Sequence, residues 1–211
     1  MHMPVMYNHT KNFGYLHIPK MGGTAYEAWL RQVMPNEWTV YDTVEKQTSW
    51  HAVELAELQD CTWYTTIRNP WTATLSSWRH ASRSTHPGLE WQQHLANIAS
   101  RHSDVADYHW HSIIGAVNHG VKNATRVFRL EDQGSFEQHI YTNYQSWVTR
   151  KFRKLNSFGR DYELSQQDFD TISELWNDWR ETYYSDWTLD TWNEYNQQQQ
   201  NLVDYNLVEF E

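Results

Sequence analysis

Phe13-Gly14-Tyr15-Leu16-His17-Ile18-Pro19-Lys20-Met21-Gly22-Gly23-Thr24 is the stretch from which the fold can be read. Phe13 to Ile18 is a short apolar and aromatic run, the pattern of a buried strand. Pro19 to Gly23 is turn chemistry, and the spacing that follows predicts a helix from Thr24 to about Met34. A strand that enters a helix through a glycine turn is suited to anions. Gly22 and Gly23 let the backbone approach a ligand closely, and the helix start offers free N–H groups at the positive end of its dipole. Lys20 adds a point charge and Thr24 a hydroxyl. The order is not G-x-x-x-x-G-K-[ST], because Lys20 precedes the glycines. The plainer reading is a glycine turn capped by Thr24, with a surface lysine.

Working outward, Thr62 to Ile67 is β-branched and aromatic, which predicts a second core strand. Arg68-Asn69-Pro70 ends it, and a helix is expected from Trp71 to about Ser82. Ser76 lies eight positions after Arg68, so an arginine at a strand end and a serine two helical turns on can converge on one phosphate. An arginine paired with a carboxylate is the competing reading. Arg126 to Leu130 predicts a third strand. Helical spacing marks His51 to Leu58, two stretches between Glu90 and Val117, and a long helix from Ser165 to Tyr184. The Gln-rich stretch from Asn196 to Asn201 is expected to be a loop or linker. Strands alternating with helices predict an α/β fold: a P-loop-like parallel sheet flanked by helices. One domain over residues 1–211 is expected, with an acidic helical C-terminal part at about 161–211.

Together the two motifs resemble the sulfotransferases that use 3′-phosphoadenosine-5′-phosphosulfate (PAPS). In that family P-K-x-G-[GST]-T binds the 5′-phosphosulfate, and an Arg followed by a Ser eight residues later binds the 3′-phosphate. Pro19, Lys20, Met21, Gly22, Gly23 and Thr24 fall on the first motif, Arg68 and Ser76 on the second. The look is nearest to heparan sulfate 6-O-sulfotransferases, whose loop reads H-I-x-K-x-G-G-T and whose second motif runs into S-x-W-R-H. This chain has His17 to Thr24, and then Ser76-Ser77-Trp78-Arg79-His80. The resemblance is dense from about Phe13 to His80 and looser beyond, at Arg129-Leu130-Glu131-Asp132 and at Lys154-Leu155-Asn156-Ser157. Two departures stand out: Thr72 and Ala73 follow the R-N-P motif, and the late R-K-G-x-x-G is missing.

The resemblance implies a sulfotransferase fold and in-line transfer of a sulfuryl group from PAPS to an acceptor hydroxyl, leaving PAP (adenosine 3′,5′-bisphosphate), with no metal required. It places the catalytic base at His51, at the head of an H-A-x-x-x-E-L-like segment. An imidazole titrating near neutrality suits that task. Lys20 would neutralise charge on the leaving phosphate oxygen. His80, His109 and Trp110 are candidates for the acceptor side, and His80, His109 and His111 compete with His51 among the 12 histidines.

Composition narrows the field. Thirteen Trp and 13 Tyr serve cores and binding faces alike; because aromatic rings can stack on sugars and because the resemblance points there, a glycan acceptor is expected, with a small phenol, a lipid headgroup or a tyrosine as alternatives. The net charge of −9 is concentrated at the end, since residues 161–211 hold 13 acidic residues against the single base Arg180. The first 160 residues therefore carry a slight positive excess, compatible with an anionic ligand but not with general nucleic-acid binding. Arg150, Lys151, Arg153, Lys154 and Arg160 form a basic run, either a flap over an anion or a solvated loop. The single cysteine, Cys61, excludes an intrachain disulfide and a Cys-based zinc site. No apolar run approaches the ~20 residues of a membrane span and no signal-peptide pattern opens the chain, so a soluble cytoplasmic protein is expected. A P-loop kinase-like enzyme and a non-catalytic glycan-binding protein are the alternatives.

Overall fold

A computed structural model describes residues 5–34, 38–41, 60–100, 117, 121–144 and 162–208. The chain divides into two compact units, Met1–Asn156 and Ser157–Glu211. The second begins close to where the acidic stretch begins in the sequence.

The first unit is built on a five-stranded sheet of order β3-β1-β2-β4-β5, in which β1 is Val5–Asn8, β2 Phe13–Leu16, β3 Trp38–Tyr41, β4 Thr62–Ile67 and β5 Arg126–Arg129. The three strands expected from the sequence are β2, β4 and β5. They lie side by side and parallel, with Tyr15 opposite Tyr64 and Tyr64 opposite Arg126. The sheet as a whole is mixed rather than parallel, because β1 runs antiparallel to both β2 and β3. The reason is local. Only His9 to Asn12 separate β1 from β2, enough to reverse the chain but too short for the crossover that parallel neighbours need. Asn12 takes a left-handed φ of 49°, and the Asn8 side chain accepts the Lys11 N–H at 3.0 Å, so the turn is held by the residue types that favour turns.

Strand pleating sorts the side chains to two faces. Met6, Phe13, Tyr15, Tyr64 and Phe128 share one face. They pack against Tyr26, Trp29, Leu30 and Val33 of α1 (Gly23–Val33) and Phe136 and Ile140 of α4 (Gln133–Tyr144). The core is aromatic: Phe13 stacks on Tyr64 at 4.7 Å between centroids, and Phe128 meets Phe136 at 4.7 Å. Val5, Tyr7, Leu16 and Trp63 occupy the opposite face, with Cys61. There the Trp63 indole lies directly over its neighbour Gly14, where a Cβ would come within 2.2 Å of the ring.

Helix α2 (Pro70–His80) starts where Asn69 caps it, accepting the Thr72 N–H at 2.8 Å, with Pro70 at the position that needs no N–H partner. It runs on into a π-helical segment, Ala81–Thr85. Helix α3 (Trp91–Ser100) follows. Trp78 joins the two, with its indole N–H on the Leu89 carbonyl at 2.8 Å and its ring edge-on to Trp91 at 5.4 Å.

The second unit is helical over its described residues: α5 (Gln166–Leu175), α6 (Asn177–Tyr183) and α7 (Leu189–Val208). A capping box between Ser165 and Asp168 opens α5. Two expectations are corrected here. The long helix from Ser165 to Tyr184 is broken at Trp176, whose φ of −114° is not helical. Trp176 and Trp179 meet edge to face at 4.7 Å across the break. Residues 196–201 lie inside α7 rather than in a loop, in keeping with the good helix propensity of Gln.

Candidate functional site

The C-terminal ends of three adjacent parallel strands form one corner of the sheet, the usual ligand position in open α/β sheets. Beyond β2 the chain makes a tight turn in which Met21 donates its N–H to the Ile18 carbonyl at 3.3 Å. Lys20 and Gly22 both take left-handed conformations, with φ of 64° and 79°. That is free for Gly22 and strained for Lys20. Gly22 also caps α1, its carbonyl accepting from Ala25 and Tyr26 at 3.0 and 3.2 Å. No side chain caps this helix. The N–H groups of Gly22, Gly23 and Thr24 have no acceptor among the described residues. Successive unpaired amides at a helix start form an anion-binding concavity. Thr24 is exposed and does not act as the N-cap.

The loop is fastened to the next strand. Tyr15 donates its hydroxyl to Thr66 Oγ1 at 2.7 Å, and Thr66 donates onward to the Met21 carbonyl at 3.1 Å. Burial pushes the Tyr15 phenol well above its ordinary range, so it stays protonated as this relay requires. The Arg68 N–H points at Met21 Sδ at 3.2 Å. The third strand is tied in as well, because the Asn69 backbone and side-chain N–H groups both donate to Glu131 Oε1, at 2.9 and 2.7 Å. Leu130 lies against Gly22, where a Cβ would meet its side chain at 3.0 Å.

Arg68 stands at this junction, half-buried, with its Nε buried and without a partner. Three successive amides without acceptors, and an arginine on the adjoining strand end, are groups suited to an acceptor-rich anion. Ser76 is half-buried in the second turn of α2, and no described contact joins it to Arg68 or to the loop. Its neighbour Ser77 is fully buried, with a hydroxyl that lacks a partner. His80 is half-buried at the end of α2. His51, His109, Trp110 and the basic run from Arg150 to Arg160 lie outside the described residues. No cluster of three or more potential metal ligands occurs among the described residues.

Sequence reasoning missed one pair. His17 is buried and holds the Glu27 carboxylate through Nδ1, while its ring lies against Gly23. Both residues stand in the loop–helix unit, but a spacing of ten across a turn has no periodic signature. No described helix is long and apolar enough to cross a membrane. No protein-family model, no curated protein and no solved structure matches this chain.

Proposed function

We propose that this chain is a PAPS-dependent sulfotransferase acting on a hydroxyl group of a carbohydrate. The observation that carries the reading is the corner at the ends of β2, β4 and β5, where the loop with three unpaired amides is fastened to the strand end that carries Arg68, through the Arg68 N–H and Met21 Sδ at 3.2 Å. The resemblance of the loop and of the Arg68–Ser76 spacing gives that corner its chemistry. Its residues suit the cofactor: Pro19 to Thr24 would hold the 5′-phosphosulfate, and Arg68 with Ser76 the 3′-phosphate. When bound, PAPS supplies the activated sulfuryl group.

Lys20, held at its strained φ next to the amides, would place positive charge where negative charge gathers on the leaving oxygen. His51 would take the proton of the acceptor hydroxyl as the new S–O bond forms. His80, His109 and Trp110 would face the acceptor, and the aromatic content of the chain suits stacking on a sugar ring. No metal enters this scheme.

The test is selective stabilisation. A ligand that binds only the native state adds about 2.7 kcal/mol at a hundredfold excess over its Kd. PAP is expected to raise the melting temperature, and ATP with Mg²⁺ to raise it much less. Equal shifts would favour a kinase-like enzyme, and no shift with either a non-catalytic glycan binder. Transfer of labelled sulfate from PAPS to a panel of glycans then reads the activity itself.

A further inference from the structure

The helix that begins with the anion-binding amides carries a carboxylate one turn later. Gly23 and Glu27 are four residues apart on α1, so they occupy the same face, with Cβ positions about 6 Å apart. A free carboxylate there would oppose any anion bound at the amides of residues 22–24. His17 stands between the two. An ideal Cβ on Gly23 would lie 2.0 Å from its Cδ2 and 2.3 Å from its Nε2, so the imidazole lies flat against the Gly23 backbone. On the other side Nδ1 bonds the Glu27 carboxylate. His17 is 8% exposed and the Glu27 side chain 15%, so the pair is built into the fold. With Nδ1–H donating to the carboxylate, the ring turns Nε2 toward the loop, and Nε2 has no partner among the described residues.

We propose that His17 is a positioning residue that ties down the Glu27 carboxylate and keeps its charge from acting on the anion held by the Gly22–Thr24 amides. This rests on the reading of that loop as a phosphosulfate site, but the electrostatic argument applies to any polyanion bound there. Removing the imidazole while leaving Glu27 frees a negative charge within reach of the ligand. Removing both leaves nothing to screen. A residue that merely filled space beside Gly23 would show no such dependence on Glu27.

The experiment is a double-mutant cycle on the full chain, with His17→Gln, Glu27→Gln and the double variant, each checked for folding by circular dichroism. Binding of PAP and, separately, of inorganic pyrophosphate is measured by calorimetry. His17→Gln is expected to weaken both ligands about tenfold, equivalent to about 1.4 kcal/mol. Glu27→Gln is expected to bind as well as the wild type or better, and the double variant to return to within about threefold of it. A double variant as weak as His17→Gln overturns the proposal, as does a Glu27→Gln variant that alone loses tenfold. If pyrophosphate shows the pattern and PAP does not bind, the screening role stands and the PAPS reading falls. If PAP binds without the pattern, the reverse holds. Failure of the wild type to bind either ligand removes both.

Discussion

Gly23→Ala is a substitution whose sign depends on the residue opposite. Gly23 is the first residue of α1 and has an ordinary helical backbone, so alanine there should favour the helix by about 0.5–1 kcal/mol. The space is taken, however. The new Cβ would sit 2.0–2.5 Å from three atoms of the His17 ring, well inside contact distance. The ring cannot swing away freely, since Nδ1 holds Glu27 and the residue is buried. Either the imidazole leaves its rotamer or the start of α1 shifts, and overpacking of this kind costs about 1–3 kcal/mol. Melting followed by circular dichroism, at about 2–4 °C per kcal/mol for a chain of this size, should show Gly23→Ala several degrees below the wild type. In a His17→Ala background the clash is gone. There Gly23→Ala should raise the melting temperature by a degree or more. A Gly23→Ala variant that gains as much in the wild-type background as in His17→Ala would refute the packing of His17 on the loop. An equal loss in both backgrounds would assign the glycine requirement to backbone conformation instead.

Three further outcomes are expected. Arg68→Ala should weaken PAP by about 10–100-fold, the loss of hydrogen bonds from a charged group, and chiefly raise KM, whereas Lys20→Ala should also lower kcat; calorimetry and steady-state kinetics separate them. Burial pushes the Cys61 thiol from 9.0 up to about 12, so its thiolate fraction at pH 8 falls about a thousandfold, and alkylation followed by mass spectrometry should be correspondingly slow until the chain is unfolded. His139 accepts from Arg126 at 2.9 Å and meets the Tyr64 hydroxyl at 3.1 Å, and burial, then Arg126, lowers its pKa below the ordinary 6.5. The unfolded chain then binds the proton more readily, so this contribution is present above about pH 6.5 and is lost as pH falls toward the folded-state value. Melting curves from pH 8 to 5 should show the stability margin of the wild type over His139→Gln narrowing on acidification.

The central strands were legible because each is announced by aromatic and β-branched residues and closed by a turn or a proline, as at Thr62 to Pro70. β1 and β3 were not, although they are no shorter than β2 and β5; after β1, Asn8-His9-Thr10 reads as well for a loop as for a hairpin. With β1 unseen, the antiparallel half of the sheet was unseen too. The break at Trp176 is hidden because Phe169, Ile172, Trp176 and Trp179 keep helical spacing through it. The Gln-rich stretch misled for the opposite reason, since low complexity says nothing against a helix when the residue itself favours one. At the site, motif order and type pointed to the loop and Arg68 as candidates. The roles of Thr66, Glu131 and Glu27 are created by contact across the fold, and no local pattern encodes such contacts.

The corner where the anion would sit is assembled from distant parts of the chain. Tyr15 reaches Thr66 across 51 positions, and Asn69 reaches Glu131 across 62. The β1–β2 hairpin closes a loop of a few residues, whereas these links must wait until long stretches of chain have been drawn together, an entropic barrier that slows folding. The hairpin can therefore exist before any ligand has a place to bind. Competence for the proposed ligand would arrive with the last parallel pairing, which would make recovery of binding during refolding a timer for completion of the sheet.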